Sequence, residues 1–91
     1  MSKELRRILL VEDEEDIREV AQMALEAVGG FTVETAGSGA EALEKVPAFS
    51  PDLILMDCMM PVMDGPSAFR ALRERRLDVP VIFMTARVQP D

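Results

Sequence analysis

Hydrophobic and polar positions along this chain fall into blocks. Ile8 to Val11 is a short continuous apolar run, the pattern of a strand covered on both faces. After a group of acids, Ile17, Val20, Ala21, Ala24 and Val28 recur at spacings of three and four, which is one face of a helix. Glu14, Glu15 and Asp16 crowd its first turn, where the helix dipole favours negative charge, and Gly29-Gly30 stops it. Phe31 to Ala36 alternates weakly and reads as a strand nearer an edge. Ser38 to Glu41 fits a capping box opening a helix through Val46, which Pro47 should end. Leu53 to Met56 is a third apolar run. Pro66 to Arg76 reads as a helix with Phe69 and Leu72 inward and Arg70, Arg73, Arg75 and Arg76 largely outward. Pro80 leads into a fourth strand, "VIFM".

Strands alternating with helices, and strands without polar alternation, specify an α/β fold with a parallel sheet covered on both faces. Right-handed crossovers bring the carboxyl ends of all strands to one edge. Glu12 and Asp13 follow the first strand, Asp57 the third and Thr85 the fourth, so these four residues are expected at one rim. Ligands of open α/β sheets sit at that rim where the winding reverses. With strand 1 between strands 2 and 3, the crevice lies between Glu12/Asp13 and Asp57.

Composition narrows the chemistry. The 91 residues allow one core, so a single domain. A net charge of −7 argues against nucleic-acid binding, which depends on phosphate neutralisation by Lys and Arg. No apolar run approaches a membrane span, and "MSKELRR" lacks a signal peptide's apolar segment. Cys58 is the single cysteine, which suits a reducing compartment and makes the cytoplasm the expected location. The chain contains no histidine. That removes the usual general base, the usual zinc ligand and any phosphohistidine carried by this chain.

Carboxylates gathered at one rim need a counter-charge, since two unit charges about 4 Å apart repel by roughly 4 kcal/mol at an effective dielectric near 20. A hard divalent cation is the common solution at neutral pH. Magnesium takes oxygen ligands, typically one or two protein carboxylates plus phosphate oxygens. The rim therefore reads as a site for Mg²⁺ and a phosphoryl group, to which Thr85 could donate its hydroxyl. Asp57 alone would be as readily a strand-end turn residue; its company with Glu12 and Asp13 weighs against that. Glu14, Glu15 and Asp16 read better as helix-start acids than as ligands. Cys58 and the methionines Met56, Met59, Met60 and Met63 read as packing residues.

"ILLVEDE", "DLILMDCMMPVMDG" and "VIFMTA" resemble, in order and spacing, the receiver domain of bacterial two-component response regulators, and the likeness covers essentially the whole chain. The resemblance implies a flavodoxin-like, doubly wound sheet with its four strands in the order 2-1-3-4. It implies that Asp57 is the phosphoacceptor, charged by a sensor histidine kinase or a histidine phosphotransfer protein. Asp13, Asp57 and the backbone carbonyl of Met59 would bind Mg²⁺, with Glu12 helping through water. Thr85 would be the switch hydroxyl, and Ala86 a small residue leaving room beside it. The family pattern continues with another helix, a fifth strand bearing a lysine that reaches the phosphoryl group, and a last helix. Residues 1–91 are thus expected to be a receiver domain incomplete at its C-terminus. Its fourth strand would be an unpaired edge suited to a homodimer.

Two other readings remain. "GSGAEA", Gly37 to Ala42, satisfies the G-x-G-x-x-[GA] dinucleotide fingerprint with Asp57 about twenty residues on. It leaves Glu12, Asp13 and Thr85 without a task. A phosphatase with an aspartyl-phosphate intermediate would favour a second acid two residues past its nucleophile, where this chain has Met59.

Overall fold

The computed structural model describes residues 5–57, 65–75 and 79–84. Strand β1 (Arg7–Val11), helix α1 (Glu15–Ala27), strand β2 (Thr32–Ala36), helix α2 (Gly39–Phe49), strand β3 (Leu53–Asp57), helix α3 (Gly65–Glu74) and strand β4 (Val81–Met84) follow one another in the expected alternation. All strand pairs are parallel, and the sheet runs β2-β1-β3-β4. The winding therefore reverses at β1, and β2 is an edge, as its weaker pattern implied.

Register explains which residues share a face. Leu9 pairs with Ile54, and Val11 with Met56. All four are 0% exposed and point toward α2 and α3, where Ala42, Leu43, Val46 and Leu72 complete one core. Each such side chain contributes roughly 1.5–3 kcal/mol on burial. Ile8 and Leu10 alternate onto the opposite face and are also buried. Asp52 ties the β1 start, its carboxylate accepting from the backbone N–H groups of Arg6 and Arg7, each at 2.9 Å.

Helix α1 stops as expected. Gly30 takes a left-handed φ of 70°, open to glycine without strain, and the Phe31 N–H closes back on the Leu25 carbonyl at 3.2 Å. At α2, Ser38 accepts from the Glu41 N–H at 3.1 Å, and the Glu41 carboxylate accepts in return from the Gly37 N–H at 2.8 Å, one residue earlier than in a standard capping box. Pro47 does not end this helix, contrary to the sequence expectation; α2 continues to Phe49. The extra residues are held from outside. The Arg7 guanidinium lies 4.2 Å over the Phe49 ring, its Nε donates to the Phe49 carbonyl at 2.8 Å, and Phe49 packs against the core. Ser50, left-handed at φ 53°, terminates the helix.

Two further differences concern exposure and extent. None of the α1 residues is fully buried, and Val20 and Val28 are 67% and 89% exposed. The apolar stripe of α1 is wider than its footing: Ile17, Ala21 and Leu25 are half-buried, while Val20, Ala24 and Val28 form an open flank. Helix α3 begins at Gly65 and ends at Glu74; Leu72 is inward and Arg70, Arg73 and Arg75 are exposed, whereas the Phe69 side chain and Arg76 lie outside the described residues. No described helix is long and apolar enough to cross a membrane.

Candidate functional site

The site grows out of the strand ends. Pairing of β1 with β2 continues one residue past Val11, because the Glu12 N–H donates to the Ala36 carbonyl at 3.0 Å. Val11 is registered on Met56, so Asp57 reaches the same level of the sheet as Glu12. Asp57 is itself the last residue of β3, one beyond the expected end, and is registered on Met84 at the close of β4. Glu12 and Asp57 are buried, at 1% and 6% exposure, and Asp13 is half-buried.

Carboxylate oxygens of Glu12, Asp13 and Asp57 lie within 4.8 Å of one another. At no more than that spacing each ionised pair repels by at least about 3.5 kcal/mol at an effective dielectric of ~20. The electrostatics register this crowding. Burial pushes the Glu12 carboxyl above its ordinary value, and the Asp57 and Asp13 charges push the same way; the Glu14 N–H, donating to Glu12 Oε2 at 3.0 Å, pulls partly back. Buried acids are rare without a partner. Three hard oxygen donors converging on one small space match the chemistry of a magnesium-like cation.

The structure thus brings together Glu12, Asp13 and Asp57. Met59, Thr85 and Ala86 lie outside the described residues, as do Cys58, Met60 and Met63. Glu15 and Asp16 are exposed in the first turn of α1, the place of helix-start acids. The Gly37–Ala42 segment is explained by its capping hydrogen bonds, and β2 before it is an edge strand, not the central strand a dinucleotide site requires. Lys45 is tied to the Thr35 carbonyl and to Glu41 at 3.1 Å, on the β2 side of the sheet.

One site neighbour escaped the sequence reading. Arg18, on the second turn of α1, donates from Nη1 to the Glu12 carbonyl at 2.9 Å. The available signal was composition: between Glu12 and Glu19 it is the single basic residue among acids.

Comparison with known proteins decides the family. The family described as the response regulator receiver domain matches residues 8–91. The chain belongs to the response regulator receiver family. Among curated relatives, it is 44% identical over 88 residues to the probable C4-dicarboxylate response regulator DctR of Halalkalibacterium halodurans, covering 94% of this chain and 38% of that protein. It is 42% identical over 82 residues to the alkaline phosphatase synthesis transcriptional regulatory protein PhoP of Bacillus subtilis, covering 90% and 34%. The chain therefore spans about a third of the length of these relatives. Among solved structures it resembles Vibrio cholerae chemotaxis protein CheY4, with a TM-score of 0.83, 32% identity, and coverage of 96% of this chain and 73% of that one. It also resembles the response regulator TrrA of Thermotoga maritima, solved with Mg²⁺-BeF, with a TM-score of 0.81, 35% identity and coverage of 90% and 70%. Receiver domains are regulatory phosphoacceptor modules of two-component systems, phosphorylated by histidine kinases. Family and fold leave the dinucleotide and phosphatase readings without support.

Proposed function

We propose that Asp57 is the phosphoacceptor of this receiver domain, working in the cytoplasm opposite a sensor histidine kinase or a histidine phosphotransfer protein. The observation that carries the reading is the meeting of Glu12, Asp13 and Asp57 oxygens within 4.8 Å at the carboxyl ends of β1 and β3. An Asp57 oxygen attacks the phosphorus of the partner's phosphohistidine, forming a P–O bond as the P–N bond breaks. The imidazole departs with the nitrogen's electron pair, and Asp57 is left as an acyl phosphate. Because this chain has no histidine, the donor must come from outside, whether a partner protein or a small acyl phosphate. Water attack on the acyl phosphate later regenerates the carboxylate, a reaction the domain assists in itself.

Asp13 and Asp57, with the Met59 carbonyl, would hold Mg²⁺, and Glu12 would assist through water. When bound, the cation neutralises the carboxylates and the phosphoryl oxygens, which carry about −1.5 to −2 charges after transfer. Thr85 would donate its hydroxyl to a phosphoryl oxygen, with Ala86 leaving it space. Its position immediately after Met84, the register partner of Asp57, supports that role.

Acetyl phosphate with Mg²⁺, applied to the wild type and to Asp57→Asn and read by intact mass, tests the assignment. One phosphoryl group should appear on the wild type and none on the variant. Equal incorporation by both proteins would rule out Asp57.

A further inference from the structure

The Glu12 carbonyl belongs to the peptide unit that joins the Glu12 and Asp13 α-carbons, so its direction orients both carboxylates. That unit lies just past the end of β1. Its upstream neighbour is fixed, since the Glu12 N–H donates to the Ala36 carbonyl at 3.0 Å. The unit itself is held from a different element: the Arg18 guanidinium reaches back from α1 and donates to the Glu12 carbonyl at 2.9 Å. A guanidinium in this role supplies a planar, permanently charged donor, which makes a stronger bond to a carbonyl than a neutral group would.

The space for that guanidinium is provided by a glycine. A Cβ placed on Gly37 would stand 3.1 Å from Arg18 Nη1 and 3.5 Å from Glu41 Oε1. Glu41 is in turn anchored to the Gly37 N–H at 2.8 Å and to Lys45 at 3.1 Å. The β2–α2 junction therefore walls one side of the arginine. Arg18 thus reaches the site through the Glu12 backbone carbonyl.

We propose that Arg18 is a positioning residue for the cation site: lodged against Gly37, it locks the Glu12–Asp13 peptide so that both carboxylates face Asp57. The inference rests on reading those three acids as a Mg²⁺ site. It belongs to this chain's own hydrogen bonds and not to any residue that touches the ion.

The test is an NMR titration of the ¹⁵N-labelled 91-residue chain with MgCl₂. Wild type, Asp13→Ala, Arg18→Ala and Arg18→Met are followed through folded-state amide resonances. These report only on folded molecules, so a loss of stability alone leaves the titration midpoint where it was. Arg18→Ala should weaken Mg²⁺ by about tenfold, the low end of what removing an outer partner of a metal ligand costs. Arg18→Met, which keeps the apolar stem and lacks the donor to the Glu12 carbonyl, should weaken it to the same extent, and Asp13→Ala should lose binding altogether. Should Arg18→Ala fail to fold, Arg18→Met carries the test. Midpoints equal to wild type in the arginine variants, with Asp13→Ala defective, overturn the proposal and leave the site reading standing. A wild type that does not respond to MgCl₂ overturns both.

Discussion

The two faces of the sheet are built from the same four strands, yet they are finished differently. Toward α2 and α3, Leu9, Val11, Ile54 and Met56 are sealed at 0% exposure. Toward α1, the strand residues Ile8 and Leu10 are buried, but Ile82 on β4 is 53% exposed and Val20 on the helix is 67% exposed. Alternation along a strand sends neighbours to opposite faces, so Val81 packs on the core while Ile82 beside it does not. Phe83, paired with Met56 on the α2/α3 side, is 40% exposed, so on that face too the seal stops short of the end of β4. Strand hydrophobicity reports that a position can be covered. Whether it is covered depends on which helices reach it. The candidate site sits at the carboxyl rim between the two faces, and Glu12 and Asp57 are buried there.

The largest test of this contrast is a truncation on the sealed face. Ile54→Ala should cost about 2–5 kcal/mol, because a fully buried aliphatic side chain leaves a cavity that packed neighbours cannot close. Urea unfolding of wild type and variant measures it. A loss below about 1 kcal/mol would mean the α2/α3 core is loosely packed after all.

The helices themselves offer the next comparison. Ser38 caps α2 with a side-chain hydrogen bond to the Glu41 N–H, whereas Glu14 at the start of α1 makes no side-chain cap. Ser38→Ala should therefore cost about 1 kcal/mol. Glu14→Ala should stay within about 0.5 kcal/mol, since it removes no cap. Equal losses in urea would show that α1 is anchored by its first turn as firmly as α2.

Acid titration separates the rim from the α2 flank by sign. The Gly37 N–H, and then Lys45, hold the Glu41 carboxyl below its ordinary value of 4.5. Its charged form is favoured by folding, so its contribution is present above that value and is lost as pH falls through the folded one. Burial raises Glu12 instead, and repulsion from Asp57 and Asp13 adds to it. Folding favours its protonated form, so that contribution is present below 4.5 and is lost as pH rises through the folded value. Without Mg²⁺, Glu41→Gln should be less stable than wild type at neutral pH, and Glu12→Gln more stable, with both differences fading in acid. Added MgCl₂ should erase the Glu12→Gln advantage by stabilising the wild type through binding. A Glu12→Gln variant that is less stable than wild type at neutral pH without the ion would contradict the crowded-acid picture.

Much of this architecture is readable from residue order, and the exceptions share a cause. Continuous apolar runs marked β1, β3 and β4 because strands in a parallel sheet need no polar face. The spacing of Ser38 and Glu41 marked the start of α2 because capping is local. The meeting of Glu12, Asp13 and Asp57 followed from parallel strands together with β1 lying between β2 and β3. What escaped reading depends on how separate elements meet. Pro47 does not end α2 because Arg7, 42 residues before Phe49, holds that residue by ring stacking and a hydrogen bond. Arg18 lies only six residues past Glu12, but its bond to the Glu12 carbonyl requires the side chain to reach back from α1 to the end of β1. The apolar period of α1 marked a helix but only part of its inward side. Ile17 and Ala21 are half-buried as expected, whereas Val20, Ala24 and Val28 are exposed and half-buried Leu25 lay outside the pattern. The period carried no information on how much of that stripe, from Val20 through Val28, has something packed on it.

The smallest expected effects lie on that open face, and they sharpen the contrast most. Val20→Gln replaces an exposed β-branched residue by a better helix former, and Ile82→Thr keeps a β-branched side chain on β4. With both positions more than half exposed, each change should shift stability by no more than about 0.5 kcal/mol. The same variants examine pairing of two copies through the β4 edge, because a face covered by a second chain would not be tolerant. Sedimentation of wild type and Ile82→Thr across a range of protein concentrations distinguishes the cases. Identical monomer profiles and near-equal urea midpoints fit an open face. A wild-type dimer that Ile82→Thr dissociates, with a midpoint that rises with protein concentration, would mean that the two faces are finished alike and that the second cover comes from another copy.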